Sequence, residues 1–116
     1  MSTRAQVRFA TREEGVTFSE HPNAIHAQFY VHHDGYPKGL GLHIASSITQ
    51  SGSATSFYGE IESLDAKHGD LEYIYYIWQA PGKSTWISIF EVGYNKDDEC
   101  IFVGEPSNLI EKYNTN

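Results

Sequence analysis

The chain has 116 residues, and fifteen acidic against eight basic side chains give it a formal net charge of −7 at neutral pH. This charge disfavours general binding to DNA or RNA, because an acidic surface repels a phosphate backbone. The hydrophobic content of 40% argues against a disordered chain and predicts one globular domain over residues 1–116.

The first part of the chain has the pattern of three strands. Residues 4–10 alternate between apolar and polar side chains, which is typical of a half-buried strand. Residues 16–20 (VTFSE) and 25–33 (IHAQFYVHH) alternate in the same way, and Gly or Pro marks the turns between the segments. The three segments together predict an antiparallel meander.

Residues 31–41, VHHDGYPKGLG, turn the chain from the third strand into a helix. Tyr36 precedes a proline and is therefore pushed out of the helical region. Pro37 suits the first position of a helix, where its missing N–H would have no partner. An apolar stripe, at Leu40, Ile44 and Ile48, predicts a helix that faces the sheet.

The second half predicts one further helix, three strands and a final helix. Residues 57–68 have the apolar spacing of a helix that ends before Gly69. Aromatic and β-branched residues predict strands over 71–79, 85–92 and 100–103, and Pro106 begins a short terminal helix. The order βββ-α-α-βββ-α predicts an α+β fold, in which an antiparallel sheet of about six strands has its helices packed on one face.

No targeting or membrane segment is predicted. The amino end, MSTRAQVRF, lacks the apolar region of a signal peptide, and no apolar run approaches the roughly 20 residues that span a bilayer. The single cysteine, Cys100, cannot form an internal disulfide, which favours a reducing compartment. We therefore expect a cytoplasmic protein.

The outer face of the meander carries candidate ligand-binding residues. Arg4 and Arg8 lie on one face of the first strand, and Tyr30 and His32 lie on the corresponding face of the third. This mixed basic and aromatic patch suits a small anion, a nucleotide or the carboxylates of a partner. The other interpretation, which we favour, is that the arginine stems only cover the outer face of the sheet.

The corner at residues 32–41 adds further candidates. His32 and Asp34 could share a metal ion with a third ligand from His21, His43 or His68, but no metal motif accompanies them. Lys38 lies between glycines at the start of a helix, which favours an anion site, although the spacing matches no phosphate-binding motif. Tyr36 serves either as an inward anchor, which we favour, or as a stacking surface. The simplest interpretation is a corner in which Asp34 holds the turn.

The strand over 71–79 has apolar or aromatic side chains on both faces. Its second row, at Ile74, Tyr76 and Trp78, is left exposed if helices cover only one face of the sheet. Exposed aromatic rows mark interfaces, so a homodimer through this face is one prediction. No nucleophile motif is present, and Cys100 lies in an apolar strand where a thiol is usually inert.

Two segments resemble a group of small proteins from bacteriophages, prophages and bacteria. The chain begins MSTR, and HHDGYPKGLG follows at residues 32–41; the group shows a Met-small-Thr-Arg strand and an Asp-Gly-Tyr-Pro-x-Gly segment that leads into a helix. The likeness covers about residues 1–45. The group has no established activity, so the resemblance implies only an accessory protein of a mobile element, working in the host cytoplasm.

Three functions follow as hypotheses. The favoured one is a non-enzymatic inhibitor that binds a host protein complex, such as a CRISPR complex, through clustered acids at Asp97, Asp98 and Glu99. The first alternative is a sponge for a small anionic or nucleotide ligand at the arginine patch. The second is a metal-assisted hydrolase that uses His32 and Asp34. No catalytic residue, resident metal or cofactor is predicted.

Overall fold

The computed structural model describes residues 3–11, 24–51, 59–79 and 85–114. Within these residues, six strands form one sheet and two α-helices cover one of its faces. The strands are β1 (Arg4–Thr11), β2 (Ala24–Val31), β3 (Glu60–Glu62), β4 (Leu71–Gln79), β5 (Thr85–Glu91) and β6 (Glu99–Gly104). The helices are α1 (Leu42–Ser51), which follows a π-helical turn (Pro37–Gly41), and α2 (Pro106–Tyr113).

The predicted α+β architecture is confirmed, with one difference in the sheet. The strand order is β3-β2-β1-β4-β5-β6, and every neighbouring pair is antiparallel except the central pair, β1 and β4, which is parallel. A central strand is covered on both faces, which explains why β4 is apolar along both of its rows. Strand periodicity does not reveal which strands are neighbours, so the parallel pair was not predicted.

The main core lies between the sheet and the helices. The predicted stripe at Leu40, Ile44 and Ile48 does face the sheet, and Leu109 of α2 joins it. The strands contribute Ala5, Val7, Val31, Tyr75, Ile77, Ile87, Ile89 and Phe102. Burying a Leu or Ile side chain stabilises a fold by about 1.5–3 kcal/mol, so this layer holds the helices on the sheet.

A second apolar cluster covers the β4–β5 part of the opposite face. Tyr76 and Trp78 are each 1% exposed there, and Ile74 is buried as well. The indole N–H of Trp78 donates to Ser88 Oγ at 2.8 Å, which satisfies its one polar group. The row that we expected to be open to a second subunit is therefore buried within the chain.

The predicted helix over 57–68 is wrong for the residues that the structure describes, 59–68. Residues 60–62 form the edge strand β3, and turns follow them up to β4. The helical spacing was misleading because Glu62 pairs with Gln28 of β2, a distant partner that no local pattern contains. The predicted strand at 16–20 lies outside the described residues, and the strand predicted over 25–33 ends at Val31.

Candidate functional site

Arg8 lies at the centre of a polar network on the sheet face opposite the helices. The strand register places it between Gln28 of β2 and Tyr76 of β4. Its guanidinium donates to Gln28 Oε1 at 3.1 Å, to the Tyr76 hydroxyl at 2.6 Å and to Gln6 Oε1 at 3.0 Å. Because Gln6 and Gln28 are each 1% exposed, Arg8 fixes the orientation of two buried amides.

Glu62 accepts the opposite ends of the same two amides. Nε2 of Gln28 donates to Glu62 Oε2 at 2.7 Å, and Nε2 of Gln6 donates to the same oxygen at 2.9 Å. Each amide therefore presents its oxygen to the cation of Arg8 and its N–H group to the carboxylate. This alignment of amide dipoles stabilises both charges in a partly buried place.

The pKa of the Glu62 carboxyl reflects this environment. Burial acts to raise the pKa, but the hydrogen bonds from His68, Gln28 and Gln6 outweigh it and hold the pKa below its ordinary value. The side chain is only 14% exposed, and it is ionised at neutral pH. Glu62 is thus a mostly buried anion whose charge is balanced by contacts inside the chain.

His68 and Asp70 connect the segment after β3 to the sheet. His68 Nε2 lies 2.7 Å from Glu62 Oε1, and the imidazole stacks on the Tyr30 ring with centroids 3.8 Å apart. The Tyr30 hydroxyl donates to Asp70 at 3.0 Å, and Arg4 forms an ion pair with Asp70 at 3.1 Å. Burial and then the hydrogen bond to Asp70 raise the pKa of Tyr30.

Four of the predicted residues share this face of the sheet, namely Arg4, Arg8, Tyr30 and His32. His32 lies edge-on to Tyr30 at 4.5 Å and pairs with Glu60 at 3.2 Å. Sequence reasoning missed the part that Glu62 and His68 play in the network, because a helix over 57–68 would point Glu60 and Glu62 in different directions. Two carboxylates that are two residues apart share one face of a strand. The spacing of Glu60 and Glu62 was therefore the signal that could have indicated strand β3.

The other predicted residues, Asp34, Tyr36 and Lys38, form a packed corner apart from this network. Asp34 has a φ of +59°, the left-handed region that Asp tolerates better than most residues. Gly35 is needed next to it, because an added Cβ would lie 2.8 Å from Ala5 Cβ. Tyr36 is 42% exposed and is therefore not the inward anchor that we favoured.

The backbone N–H groups of this corner are largely used within the chain. Gly35 donates to Thr3 O, Gly39 to Tyr36 O and Leu40 to Asp34 O, each at 2.9 Å. These are groups that an anion beside Lys38 would need. The geometry therefore agrees best with the simplest interpretation, a strand-to-helix corner.

The metal interpretation finds no set of ligands in the part of the chain that the structure describes. No group of three or more His, Cys, Asp or Glu side chains is placed there to hold an ion. β2 ends at Val31, so the strand alternation that would aim His32 and Asp34 the same way does not reach them. His32 instead pairs with Glu60.

A second feature is a concentration of carboxylates where β4 begins, β5 ends and β6 begins. Glu91 and Glu99 stand directly opposite each other on β5 and β6, and like charges in this position destabilise a sheet. The full set, called the acidic end below, comprises Glu72, Glu91, Asp97, Asp98 and Glu99. None of the five forms an ion pair within the described residues.

Two tyrosines near the acidic end have raised pKa values, because they are partly buried and because carboxylates lie near them. Burial first, and then the charges of Glu91 and Glu72, raise the pKa of Tyr73. Burial and the charges of Asp70, Glu72 and Asp98 do the same for Tyr94. Asp98 also has a structural role, because its Oδ1 accepts the Gly93 N–H at 3.0 Å.

The opposite end of the sheet has a shallow depression of about 400 Å³ beside the first turn of α2. Its lining includes Ile48, Thr49, Gln79 and Pro106, and Glu105 is the one charged side chain among the lining residues that the structure describes. None of these described residues is basic, so they offer no counter-charge to an anionic ligand.

The fold and these two sites define a mixed six-stranded sheet, covered by helices on one face, with a polar network on the other face and a concentration of carboxylates at one end. Comparisons of the chain with family models, with curated proteins and with solved structures found no match. Within the described residues, no helix is long and apolar enough to cross a membrane. The function has to be inferred from the chemistry of the surface itself.

Proposed function

We propose that the protein acts by binding a partner protein, and that the acidic end contacts a basic surface on that partner. The observation that carries this proposal is the pairing of Glu91 with Glu99, neither of which forms an ion pair within the described residues. Opposed carboxylates cost stability in the free protein. A basic partner removes this repulsion on binding and is attracted at long range.

The arginine patch gives less support to the sponge for a small anion. Arg4 is already paired with Asp70. Arg8 donates to three neutral acceptors, and the two amides among them are themselves hydrogen-bonded to Glu62. A phosphate at this place would compete with the carboxylates of Glu62 and Asp70. The network is better suited to holding residues 63–70 against the sheet than to receiving an anion.

The resemblance to phage and prophage proteins adds a biological context to the proposal. A host complex that handles nucleic acid has a basic channel, and an acidic protein can compete for such a channel. Inhibition of a host defence complex, for example a CRISPR complex, is the form of this function that we favour. It requires the acidic end to be the contact surface.

A cross-linking experiment in the host lysate tests this proposal. A carbodiimide joins carboxylates to lysines that touch them, so the partner's lysines should become linked to Glu91 and Glu99. The double variant E91K/E99K should lose the partner and the single variant E99K should bind it more weakly. E111K should keep the partner, since it changes the charge as much as E99K does, at an exposed site elsewhere. Retention of the partner by E91K/E99K, or links that avoid the acidic end, would show the proposal to be wrong.

A further inference from the structure

The outer margin of β3 combines exposed apolar side chains with an unpaired strand edge. β3 is the last strand on its side of the sheet, and no strand in the described part of the chain pairs with its outer edge. Ile61 is 73% exposed and Leu64, in the turn that follows, is 53% exposed. Unpaired edges that carry apolar side chains are places where another chain adds as a strand.

Two carboxylates lie close to these two apolar residues along the chain. Glu60 is 72% exposed, has only His32 as its ion-pair partner within the described residues, and lies on the opposite face of β3 from its neighbour Ile61. Asp65 is exposed, and the hydrogen bond from the hydroxyl of Ser63 lowers its pKa and keeps it charged, as does the nearby cation of Lys67. The margin therefore has one apolar face, with a carboxylate on the other face and another in the turn.

The turn that presents Leu64 is held in place from behind. Nε2 of Gln28 donates to Ser63 O and to Ala66 O, each at 3.3 Å, and Nε2 of Gln6 also reaches Ala66 O at 3.3 Å. Because the buried network fixes the turn before any partner arrives, little conformational entropy is lost there on binding. An exposed leucine on a turn that is already fixed is typical of a preorganised binding surface.

From these observations we infer that the β3 margin binds an extended segment of a partner protein, which adds to β3 as a further strand. The segment carries an apolar side chain for Ile61 and basic side chains for Glu60 and Asp65. A second copy of this chain fits less well, because it would place Glu60 and Asp65 against the same carboxylates. The inference rests on the proposed binding function and adds a second contact, on a different edge from the acidic end.

The test uses two synthetic peptides of equal charge, capped at both ends, one alternating Lys with Val and one alternating Lys with Ser. Backbone amide signals of the protein are followed by NMR during titration. The Lys-Val peptide should shift the signals of residues 60–64 saturably, and the Lys-Ser peptide should bind them at least tenfold more weakly. This difference isolates the apolar and strand-pairing contribution from charge alone.

Variants at the two sheet edges provide the controls. I61D and the milder I61S should each weaken the Lys-Val peptide at least tenfold, whereas V103D, at an exposed position on β6, should leave its affinity unchanged. Equal binding by wild type and both Ile61 variants would overturn the inference, as would concentration-dependent shifts of residues 60–64 without peptide, which indicate a second copy.

The two proposals fail in distinguishable ways. Shifts confined to the acidic end overturn the β3 inference and leave the proposed function standing. Shifts confined to residues 60–64 support the β3 inference and contradict the assignment of the acidic end as a contact surface, because the basic peptide has then not bound at Glu91 and Glu99. Absence of any saturable shift with either peptide contradicts both.

Discussion

The two edge strands of the sheet, β3 and β6, are held by opposite kinds of contact. β3 has three residues and is held by the buried polar network that converges on Glu62. β6 has six residues and is held by apolar packing, with Phe102 and Leu109 in the main core. An edge that depends on one ionised side chain is open to change by pH and by single substitutions, whereas a packed edge distributes its stability over many contacts.

The two edges also differ in the features that discourage the addition of another strand. On β6 the ammonium group of Lys112 donates to Ile101 O at 2.9 Å, and the register shifts between Ile89 and Phe90 of the neighbouring strand. A lysine and an irregular register both discourage the addition of another strand. β3 instead has the exposed side chain of Ile61 at its margin. This contrast between the edges is the reason that we infer partner binding at β3 and not at β6.

The largest expected effect comes from removing the centre of the β3 network. Glu62→Ala leaves the buried N–H groups of Gln6 and Gln28 without their shared carboxylate, which should lower the free energy of unfolding by about 2–4 kcal/mol. The matched control is Glu60→Ala on the same strand face, where loss of an exposed pair should cost less than about 1 kcal/mol. Urea unfolding of the three proteins measures both values, and equal losses would contradict the network interpretation.

Acid should weaken the same edge. The pKa of Glu62 is lowered in the folded protein relative to its ordinary value of 4.5, so its contribution to stability is fully present above that pH. This contribution is lost as the pH falls through the lower, folded pKa. Wild type should therefore lose more stability than Glu62→Gln between neutral pH and about pH 3, as followed by urea unfolding at each pH. Parallel pH profiles would contradict this prediction.

The smallest expected effect is at β6. Lys112→Met removes one hydrogen bond to Ile101 O and the contacts of the ammonium group with the rings of Phe102 and Tyr113, which should cost about 0.5–1 kcal/mol. Hydrogen exchange should quicken in residues 99–104 and stay the same in β3. Lys96→Met, on an exposed turn, should change neither; a global acceleration in Lys112→Met would show that β6 is less independent than its packing indicates.

Local chemistry explains which elements could be predicted from the sequence. The strand predicted over 71–79 is observed with those bounds, and the terminal helix does begin at Pro106, because side-chain periodicity and a proline at the first helical position act over a few residues. The faces of β1 were predicted for the same reason. The grouping of Arg4, Arg8, Tyr30 and His32 followed from these faces.

The features that only the tertiary structure decided depend on partners far apart in the chain. The parallel pairing of β1 with β4 decides that Arg8 meets Tyr76, 68 positions away. The bond from Gln28 to Glu62 spans 34 positions and converts an apparently helical segment into an edge strand. The sequence alone determined the types of most elements and the excess of negative charge. Which charged side chains form ion pairs and hydrogen bonds within the described residues was decided by long-range pairing, because hydrogen bonds between distant residues outweigh local helical spacing.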